Sequence, residues 1–441
     1  MTRDLGPPAQ GGIPRAQWRV IILSSLGGAL EFYDFVIYSM FAQYIGAAFF
    51  PASDPLNSLM LSFTVFAVGY VARPFGGVVF SHFGDKYGRR PVFIVAMLTM
   101  SLATVCIGLL PGYAQWGITA SILMVVLRLL QGFCLGGELP GAITYVVETA
   151  PAKAGFAAGF VFFCVNSGVA LASALSWGVH ETLSPDEVSA WGWRIGFLFG
   201  GVLGLISFWL RLSLEETSEF KRMRSVTSKQ PFLELLKSHP GNVAVGVAAL
   251  TATAGFNGLL FAMPAFLPRV MGYTSVEAIE AQNVALIILS FGLLAAAWLG
   301  DRMPRRWLLG AGALVLVLLS VPFFTALANK SVNLMLLFAG AGIAASLVNG
   351  TMAGVVADLF PTRIRFSGVA VSFNLAFSIF SGSAPLAAAA LVRAYDSPAA
   401  PAYYMCGCAA ITFLGSLFLH RYDGRILRES ATVPLAAAST V

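Results

Sequence analysis

The amino-acid sequence predicts an all-α membrane protein with twelve transmembrane helices, arranged as two parallel six-helix repeats. Three observations lead to this prediction. The 441 residues are 57% hydrophobic and only 11% charged, whereas a soluble domain carries about 25% charged residues. The basic residues are concentrated in alternate loops between the apolar runs. Two short motifs each occur once in the first half of the chain and again in the second.

Twelve apolar runs are long enough to cross a bilayer, which takes about 20 helical residues. The first run follows a polar N-terminal tail and is too long for the core of a cleaved signal peptide, so we expect it to be retained. The predicted helices cover residues 19–49, 57–81, 91–110, 117–147, 154–178, 192–212, 241–268, 279–299, 307–327, 333–357, 364–392 and 401–420.

A long polar segment divides these runs six and six. The sequence predicts a tail at 1–18, a first bundle at 19–212, a central loop at 213–240, a second bundle at 241–420 and a tail at 421–441. Across the central loop, GDKYGRR at Gly84–Arg90 recurs as GDRMPRR at Gly300–Arg306, and ETAP at Glu148–Pro151 recurs as DLFP at Asp358–Pro361. Motifs duplicated on one membrane side are expected of parallel repeats.

The positions of the basic residues predict the orientation in the membrane. Most of the 27 lysines and arginines fall in loops on one side of the helices, and such loops stay in the cytoplasm. We therefore expect a multi-pass protein of the bacterial inner membrane with both termini cytoplasmic. The net charge of +6 follows from this topology, and no basic patch predicts nucleic-acid binding. The five cysteines lack metal-ligand spacing, so neither a metal nor a cofactor is predicted.

The loop between the second and third helices carries a dense turn motif. Its glycines permit a tight turn, its aspartate suits a helix N-terminus and its arginines hold the loop inside. The residues concerned are Gly84, Asp85, Gly88, Arg89 and Arg90. This loop resembles the signature of the major facilitator superfamily. The stretches LEFYDFVIY, ARPFGG, RLLQGFCLGGE, WGWRIGF, FPTRIRFSG and FNLAFSIFSGSAP resemble its metabolite:proton symporter branch.

The resemblance covers about residues 18 to 420 and implies the major facilitator fold and a transporter rather than an enzyme. The branch includes permeases for citrate, tricarballylate, 2-oxoglutarate, shikimate, and proline or betaine. The second loop has Pro304 where the family usually has glycine. A cytoplasmic gate is expected from the first loop together with Glu138, Glu148, Asp301 and Asp358.

Two acidic residues lie deep in the first helix. Glu31 and Asp34 are three residues apart and so share one face. At ~1.5 Å per residue, Glu31 is about 18 Å from Arg19, close to the bilayer midplane. Two buried like charges are costly, so we predict that at least one exchanges a proton near neutral pH. The alternative is a fixed structural pairing of Asp34 with an arginine.

Two arginines lie within predicted helices. Arg128 in the fourth helix and Arg73 in the second each cost about 2.5–3.5 kcal/mol on insertion scales if placed at the membrane centre. With Gln131 on the same face, Arg128 is predicted to bind a substrate carboxylate, as is Arg73. The alternative is neutralisation by Glu31, Asp34 or Glu138. The two can coexist, because a proton on the acid would free the arginine.

Further polar side chains are predicted inside the helices. Tyr38 follows Asp34 by one turn, and Asn166, Asn257 and Asn374 are intramembrane amides. Each amide is a candidate substrate contact, with an interhelical hydrogen bond as the alternative. Asn257 is favoured because prolines 264 and 268 are expected to break its helix, and irregular helices line transporter cavities.

These features together predict a proton-coupled symporter of a small organic acid, of the di- or tricarboxylate type, that works by alternating access between the two bundles. Its expected partners are the organic anion, protons and the lipid bilayer, and the protein is expected to be monomeric. A proton symporter of a zwitterion such as proline or betaine is the alternative. A proton-driven exporter is less favoured, because the fifth helix lacks the Gly-Pro motif of the antiporter branches.

Overall fold

The computed structural model describes residues 14–52, 54–87, 89–212, 235, 237–361 and 364–421. The side chains of Glu31 and of residues 81–94 lie outside the described set. The predicted loop-motif residues Gly84, Asp85, Gly88, Arg89 and Arg90 therefore have no described side-chain contacts. Most of the central loop and of the two tails also falls outside the described residues.

Within the described part of the chain, twelve helical segments cross the molecule, in the order that the sequence predicts. They are α1 (Arg15–Met40, continued by Ala42–Phe49), α2 (Pro55–Tyr87), α3 (Arg89–Leu109), α4 (Ile118–Leu135, continued by Glu138–Thr149), α5 (Ala154–Thr182), α6 (Trp193–Leu212), α7 (Pro240–Val270), α8 (Ser275–Gly300), α9 (Arg305–Ala328), α10 (Leu334–Asp358), α11 (Arg365–Ala376, Phe377–Ser381 and Gly382–Tyr395) and α12 (Pro401–Phe418). Among the described residues, ten spans meet the length and hydropathy of a membrane-crossing helix, and Val95–Leu109 in α3 is a shorter apolar one.

Local sequence signals explain several helix boundaries. Thr274 and Glu277 form a capping box at the start of α8, and the Asn333 side chain accepts hydrogen bonds from two backbone N–H groups at the start of α10. Proline occupies the first position of α7 and α12, where its missing N–H costs no helical hydrogen bond.

Three of the described helices are irregular inside the bundle. A fourth helix, α7, is regular where the sequence predicted a break. The α1 helix is interrupted at Phe41, α4 turns at Gly136–Gly137, and the middle of α11 is a π-helical segment, Phe377–Ser381. The predicted break in α7 is wrong, because α7 runs unbroken through Pro264 and Pro268. Each proline removes only one backbone donor, and buried neighbours along this stretch hold the helix.

Glycines bring α2 and α4 into backbone contact. A Cβ on Gly132 would stand 1.7 Å from the carbonyl oxygen of Gly69, and a Cβ on Gly136 would stand 2.0 Å from that of Arg73. A Cβ on Gly76 would meet the carbonyl oxygen of Phe133 at 1.8 Å. Small residues at helix interfaces allow such close approach in membranes. Any larger residue here would force the two helices apart.

The helices pair in the same pattern in both halves. In the first, α1 packs on α5, α2 on α4 and α3 on α6; in the second, α7 packs on α11, α8 on α10 and α9 on α12. Across the halves, α5 packs on α8 and α2 on α11. This repetition is the expected architecture of two parallel six-helix repeats. We call the end with the α2–α3, α4–α5, α8–α9 and α10–α11 connections the basic end, and the other the opposite end.

The outer surface of the bundle is apolar. Large side chains such as Phe75, Phe291, Leu318 and Leu336 are more than 60% exposed. Exposed apolar area of this extent is untenable in water but matches the hydrocarbon of a bilayer. The polar and charged side chains of the helix centres are instead buried between helices.

Candidate substrate and proton site

Arg128 is completely buried in the first half of the molecule. Its Nη1 donates to Gln131 Oε1 at 2.8 Å and to the carbonyl oxygen of Phe35 at 3.4 Å. Its Nε and Nη2 have no hydrogen-bond partner. No ion pair joins Arg128 to a carboxylate among the residues that the structure describes. The guanidinium therefore has donors available for an anion.

Aromatic rings line the space around Arg128. Its Cζ lies 4.3 Å from the ring centroid of Tyr38, 4.5 Å from that of Phe35 and 5.5 Å from that of Phe66. The Tyr38 hydroxyl donates to the carbonyl oxygen of Ser62 at 3.2 Å. Cation–π attraction holds a guanidinium over such faces without neutralising its charge. Arg128 and Gln131 share a helix face, as their spacing predicts, and Tyr38 of α1 lies against Arg128. Phe35 and Phe66 were not foreseen.

Arg73 lies one aromatic ring away from Arg128. It is fully buried, and its Cζ is 5.2–5.9 Å from the ring centroids of Phe32, Phe35, Tyr70 and Phe373. Phe35 is shared by the two arginines, and Phe373 belongs to α11 in the other half. Arg73 therefore lies where the two halves meet.

The π-helical segment of α11 contacts α2 beside Arg73. Ser381 Oγ donates to the Tyr70 hydroxyl at 3.1 Å, and Ser378 Oγ donates to the Tyr70 carbonyl oxygen at 2.5 Å. Single π-helical turns are often found at functional sites. None of these three residues was predicted from the sequence. The one available signal was the position of Tyr70, three residues before Arg73 and so on the same helix face.

Asp34 is buried on the side of α1 that faces α3 and α6. A Cβ on Gly200 of α6 would stand 2.4 Å from Asp34 Oδ1 and 3.2 Å from Thr104 Cγ2 of α3, so both side chains meet this glycine. No salt bridge of Asp34 occurs in the described part of the chain. A buried carboxylate without a cation is far less costly when it carries a proton. The alternative, a fixed pairing of Asp34 with an arginine, is not found among the described residues.

The amides are divided between the halves. Asn257 Nδ2 of α7 donates to Asn349 Oδ1 of α10 at 3.2 Å, and Asn374 Nδ2 of α11 donates to the carbonyl oxygen of Gly136 at 2.7 Å. Both therefore make the interhelical bonds that were the alternative reading. Asn257 Oδ1, Asn374 Oδ1 and Asn166 Nδ2 are buried with no hydrogen-bond partner, so each retains one group that a ligand or water can satisfy.

Comparisons with known proteins agree with this architecture. The family model described as "Major Facilitator Superfamily" matches residues 24–374. The chain belongs to the major facilitator superfamily. It is therefore a membrane transport protein, as the sequence motifs predicted, and not an enzyme.

Two curated relatives are similar over nearly the whole chain. The glycine betaine/proline/ectoine/pipecolic acid transporter OusA of Dickeya dadantii is 32% identical, over 96% of this chain and 85% of that protein. The citrate-proton symporter of Klebsiella pneumoniae is 33% identical, over 93% of both chains. The crystal structure of a D-xylose-proton symporter matches the fold with a TM-score of 0.70 and 18% identity, over 92% of this chain and 98% of that one.

Contacts of charged side chains join the two halves of this major facilitator at the basic end. Asp301 accepts hydrogen bonds from the backbone N–H groups of Gly155 and Phe156 at 2.8 and 2.9 Å, which caps α5 from the other half. Arg305 bridges Asp301 and Asp358. Asp301 and Asp358 thus belong to one network with the start of α5, even though Pro304 stands in this loop.

A second cross-half pair lies nearby at the basic end. Arg365 Nη1 donates to Glu148 Oε1 at 3.1 Å. Glu138 is buried at the start of the second part of α4. Its predicted place in the gate stays a prediction, as does that of the loop motif at 84–90.

Hydrogen bonds also join the two halves at the opposite end. Arg269 Nε donates to Gln43 Oε1 at 3.2 Å, and Ser39 Oγ donates to the Phe261 carbonyl oxygen at 2.9 Å. Ser173 Oγ donates to Gln282 Oε1 at 3.2 Å. Contacts between the described residues thus join the two halves at both ends.

Proposed function

We propose that this protein is a proton-coupled symporter that takes up a small organic anion, of the di- or tricarboxylate class, by alternating access. The observation that carries the proposal is the state of Arg128. Arg128 is fully buried, two of its nitrogens lack an acceptor, and it pairs with no carboxylate among the described residues. Such a guanidinium is costly unless an anion completes it. A substrate carboxylate supplies two oxygens in the geometry that the guanidinium fork prefers.

Arg73 provides a second positive charge close to the first, since Phe35 contacts both guanidinium groups. Two cations separated by one ring suit a substrate with more than one carboxylate better than a monovalent one. Asn257, Asn374 and Asn166 would complete the site through their unused amide groups. Tyr38 and Gln131 would hold Arg128 in place.

Asp34 is the proposed proton-binding residue, with Glu31 as the second acidic residue of the same helix face. Asp34 is 3% exposed and has no cation partner among the described residues. It would take up a proton from one side of the membrane and release it to the other as the two ends open in turn. The contacts at the basic end, between Asp301, Asp358, Glu148 and their partners, would form the cytoplasmic gate.

We further propose that the protein lies in a bacterial inner membrane as a monomer, with both termini in the cytoplasm. The basic loops support this orientation, and the cited relatives come from bacteria.

A zwitterion is the second candidate substrate, and one observation favours it. Phe35, Tyr38, Phe66 and Tyr70 form a buried aromatic cluster, and aromatic faces bind quaternary ammonium groups. The relative OusA carries glycine betaine and proline in its name. The guanidinium groups already lie over several of these rings, however, so an added cation would meet like charge.

The test is transport by the purified full-length protein in liposomes. The panel is citrate, tricarballylate, 2-oxoglutarate, proline and glycine betaine, compared first by the increase in thermal stability that each ligand produces. Uptake of the best ligand is then measured with and without an imposed pH gradient, acidic outside. Gradient-driven accumulation of a carboxylate supports the proposal. Accumulation of betaine or proline alone supports the second candidate, and gradient-independent uptake rules out proton coupling.

A further inference from the structure

A continuous row of polar side chains crosses the first half from α4 to α1. Arg128 Nη1 donates to Gln131 Oε1 at 2.8 Å, and Gln131 Nε2 donates to Thr104 Oγ1 at 2.8 Å. Thr104 lies beside Asp34, where both meet Gly200. All four polar side chains are at most 3% exposed. Asp34 and Arg128 therefore lie at opposite ends of a row whose two middle members, Gln131 and Thr104, are neutral.

The donor-to-acceptor direction of the hydrogen bonds in this row is fixed at the Arg128 end. At the Asp34 end it depends on the rotation of the Thr104 hydroxyl. The Gln131 oxygen must face the cation, so its amide N–H points to Thr104. The Thr104 hydroxyl accepts that bond and donates its own hydrogen to the Met100 carbonyl oxygen at 3.0 Å. Asp34 Oδ1 has no hydrogen-bond partner. The hydroxyl hydrogen of Thr104 is thus the one hydrogen of the row that has two possible acceptors, the Met100 carbonyl oxygen and Asp34 Oδ1.

Ionisation of Asp34 would change which acceptor is preferred. A hydroxyl bonds a carboxylate more strongly than a backbone carbonyl, so the Thr104 hydrogen would turn from Met100 to an ionised Asp34. Every donor in the row would then point from Arg128 towards the negative charge, and aligned hydrogen bonds strengthen one another. When Asp34 is protonated, the row ends on Met100, and Arg128 is held less strongly because Asp34 then carries no negative charge.

We propose that Thr104 and Gln131 are the positioning residues through which the protonation state of Asp34 controls how strongly Arg128 binds the substrate anion. This inference rests on the proposed symport function and deepens it. It makes proton binding and anion binding mutually favourable, which is the requirement for coupling two solutes that move together. Without these residues, only the weaker through-space effect of the Asp34 charge would remain.

Other ionisable groups near Asp34 do not offer the same connection. Tyr33 of the same helix interacts with Asp34 electrostatically, but its hydroxyl donates to the Gly196 carbonyl oxygen at 2.8 Å. The remaining ionisable side chains described on the helices around α1 are Tyr70 and Arg73 on α2, Cys106 on α3, Cys134, Glu138, Tyr145 and Glu148 on α4, Cys164, His180 and Glu181 on α5, Arg194 on α6 and Arg269 on α7. Arg194 donates to the Gly108 and Leu110 carbonyl oxygens, and His180 contacts Tyr44.

Thr104→Val tests the proposal because it removes the hydroxyl and preserves the shape. The ligand is the member of the panel above that most stabilises the wild-type protein, and its dissociation constant is measured at pH 5.5 and 8.5. Coupling between two sites typically changes affinity about 5- to 150-fold, and we expect a pH-dependent change in this range for the wild type. In Thr104→Val the change should shrink to less than about 3-fold.

Two further variants separate this role from general packing. Thr104→Ser restores a hydroxyl and should restore the pH dependence. Thr251→Val on α7 is the matched control, because Thr251 is buried and donates to the Val247 carbonyl oxygen at 2.9 Å, outside the row. It should keep the wild-type pH dependence. If Thr104→Val does not fold, Gln131→Met, which keeps the side-chain length, takes its place and should show the same loss.

The outcomes distinguish this inference from the function on which it rests. Wild-type affinity that is the same at both pH values, or no binding by any panel member, would overturn the proposed symport. A pH-dependent wild type whose dependence survives intact in Thr104→Val or Gln131→Met would overturn the positioning role alone. An equal loss in Thr251→Val would also overturn it, since the effect would then not be specific to the row.

Discussion

The two halves share a helix arrangement but differ in the chemistry at their centres. The first half buries Asp34, Arg73 and Arg128 far from any helix end. In the second half, acidic and basic residues of the described helices lie near helix ends, and the buried polar pair at the centre is neutral, Asn257 with Asn349. The two halves therefore share one helix arrangement but do not share the same buried polar residues.

Under the proposed function, this difference would give the halves separate tasks. Burying a charged group inside a membrane protein costs free energy, and such groups are found mainly where they bind or transfer ions or protons. Neutral amides can donate and accept without a net charge, so they can cover a substrate from the other side without competing for it. We expect substitutions in the first half to change coupling and affinity strongly, and those in the second half to change affinity mildly.

Asp34→Asn should have the largest effect. It keeps the size of the side chain but removes the exchangeable proton, so accumulation driven by a pH gradient should be abolished while exchange of labelled for unlabelled substrate continues. Both are measured in proteoliposomes. Asp54→Asn, at an exposed position that bonds the Leu56 backbone N–H, is the control and should behave as wild type. Full accumulation by Asp34→Asn would move proton binding to another residue.

Arg128→Lys should be next in size. Lysine keeps the positive charge but lacks the planar fork, and each lost charged hydrogen bond costs about 1.5–3 kcal/mol, or roughly 10- to 150-fold in affinity. The measurement is the substrate concentration for half-maximal exchange. Arg194→Lys makes the same exchange at a site outside the cluster, where Arg194 Nη1 donates to two backbone carbonyls. Near-normal affinity in Arg128→Lys would make Arg128 a structural residue.

Asn257→Ala should weaken substrate affinity by about 10-fold, the value of one neutral hydrogen bond at the upper end of its range. Asn349→Ala leaves the Asn257 oxygen in place and removes only its partner, so its effect on affinity should be smaller. The two variants and their combination form a double-mutant cycle. Equal losses in both single variants would indicate that the pair is structural and does not touch substrate.

Asp301→Asn should have the smallest effect, and on conformation more than on affinity. The backbone N–H groups of Gly155 and Phe156 each donate to a different carboxylate oxygen of Asp301. An asparagine amide has only one oxygen to accept these hydrogen bonds, and it forms no ion pair with Arg305. Loss of a helix cap costs about 1 kcal/mol, so the thermal midpoint should fall by roughly 2–4 °C. Glu280→Gln, where Trp177 Nε1 bonds an exposed carboxylate at the opposite end, is the control and should leave the midpoint unchanged.

The sequence was sufficient for the helices and for the identity of the buried charges, because the bilayer imposes length and hydropathy on every spanning segment. It could not predict how neighbouring helices are rotated. A pairing of Asp34 with Arg128 was one alternative because both lie at mid-membrane, yet Asp34 faces Gly200 and Thr104. Thr104 itself gave no signal, since a hydroxyl that bonds its own helix is common in apolar segments.

The contact between α2 and α4 has a mechanical consequence. Because glycine backbones touch at three successive levels, these two helices cannot slide or tilt relative to each other without a steric clash. Arg73 and Arg128, one on each helix, must then travel as one rigid unit while the rest of the bundle rocks. The backbones that carry the two guanidinium groups then keep a constant spacing. Under the proposed function, this spacing would set the distance between the negative charges of a substrate.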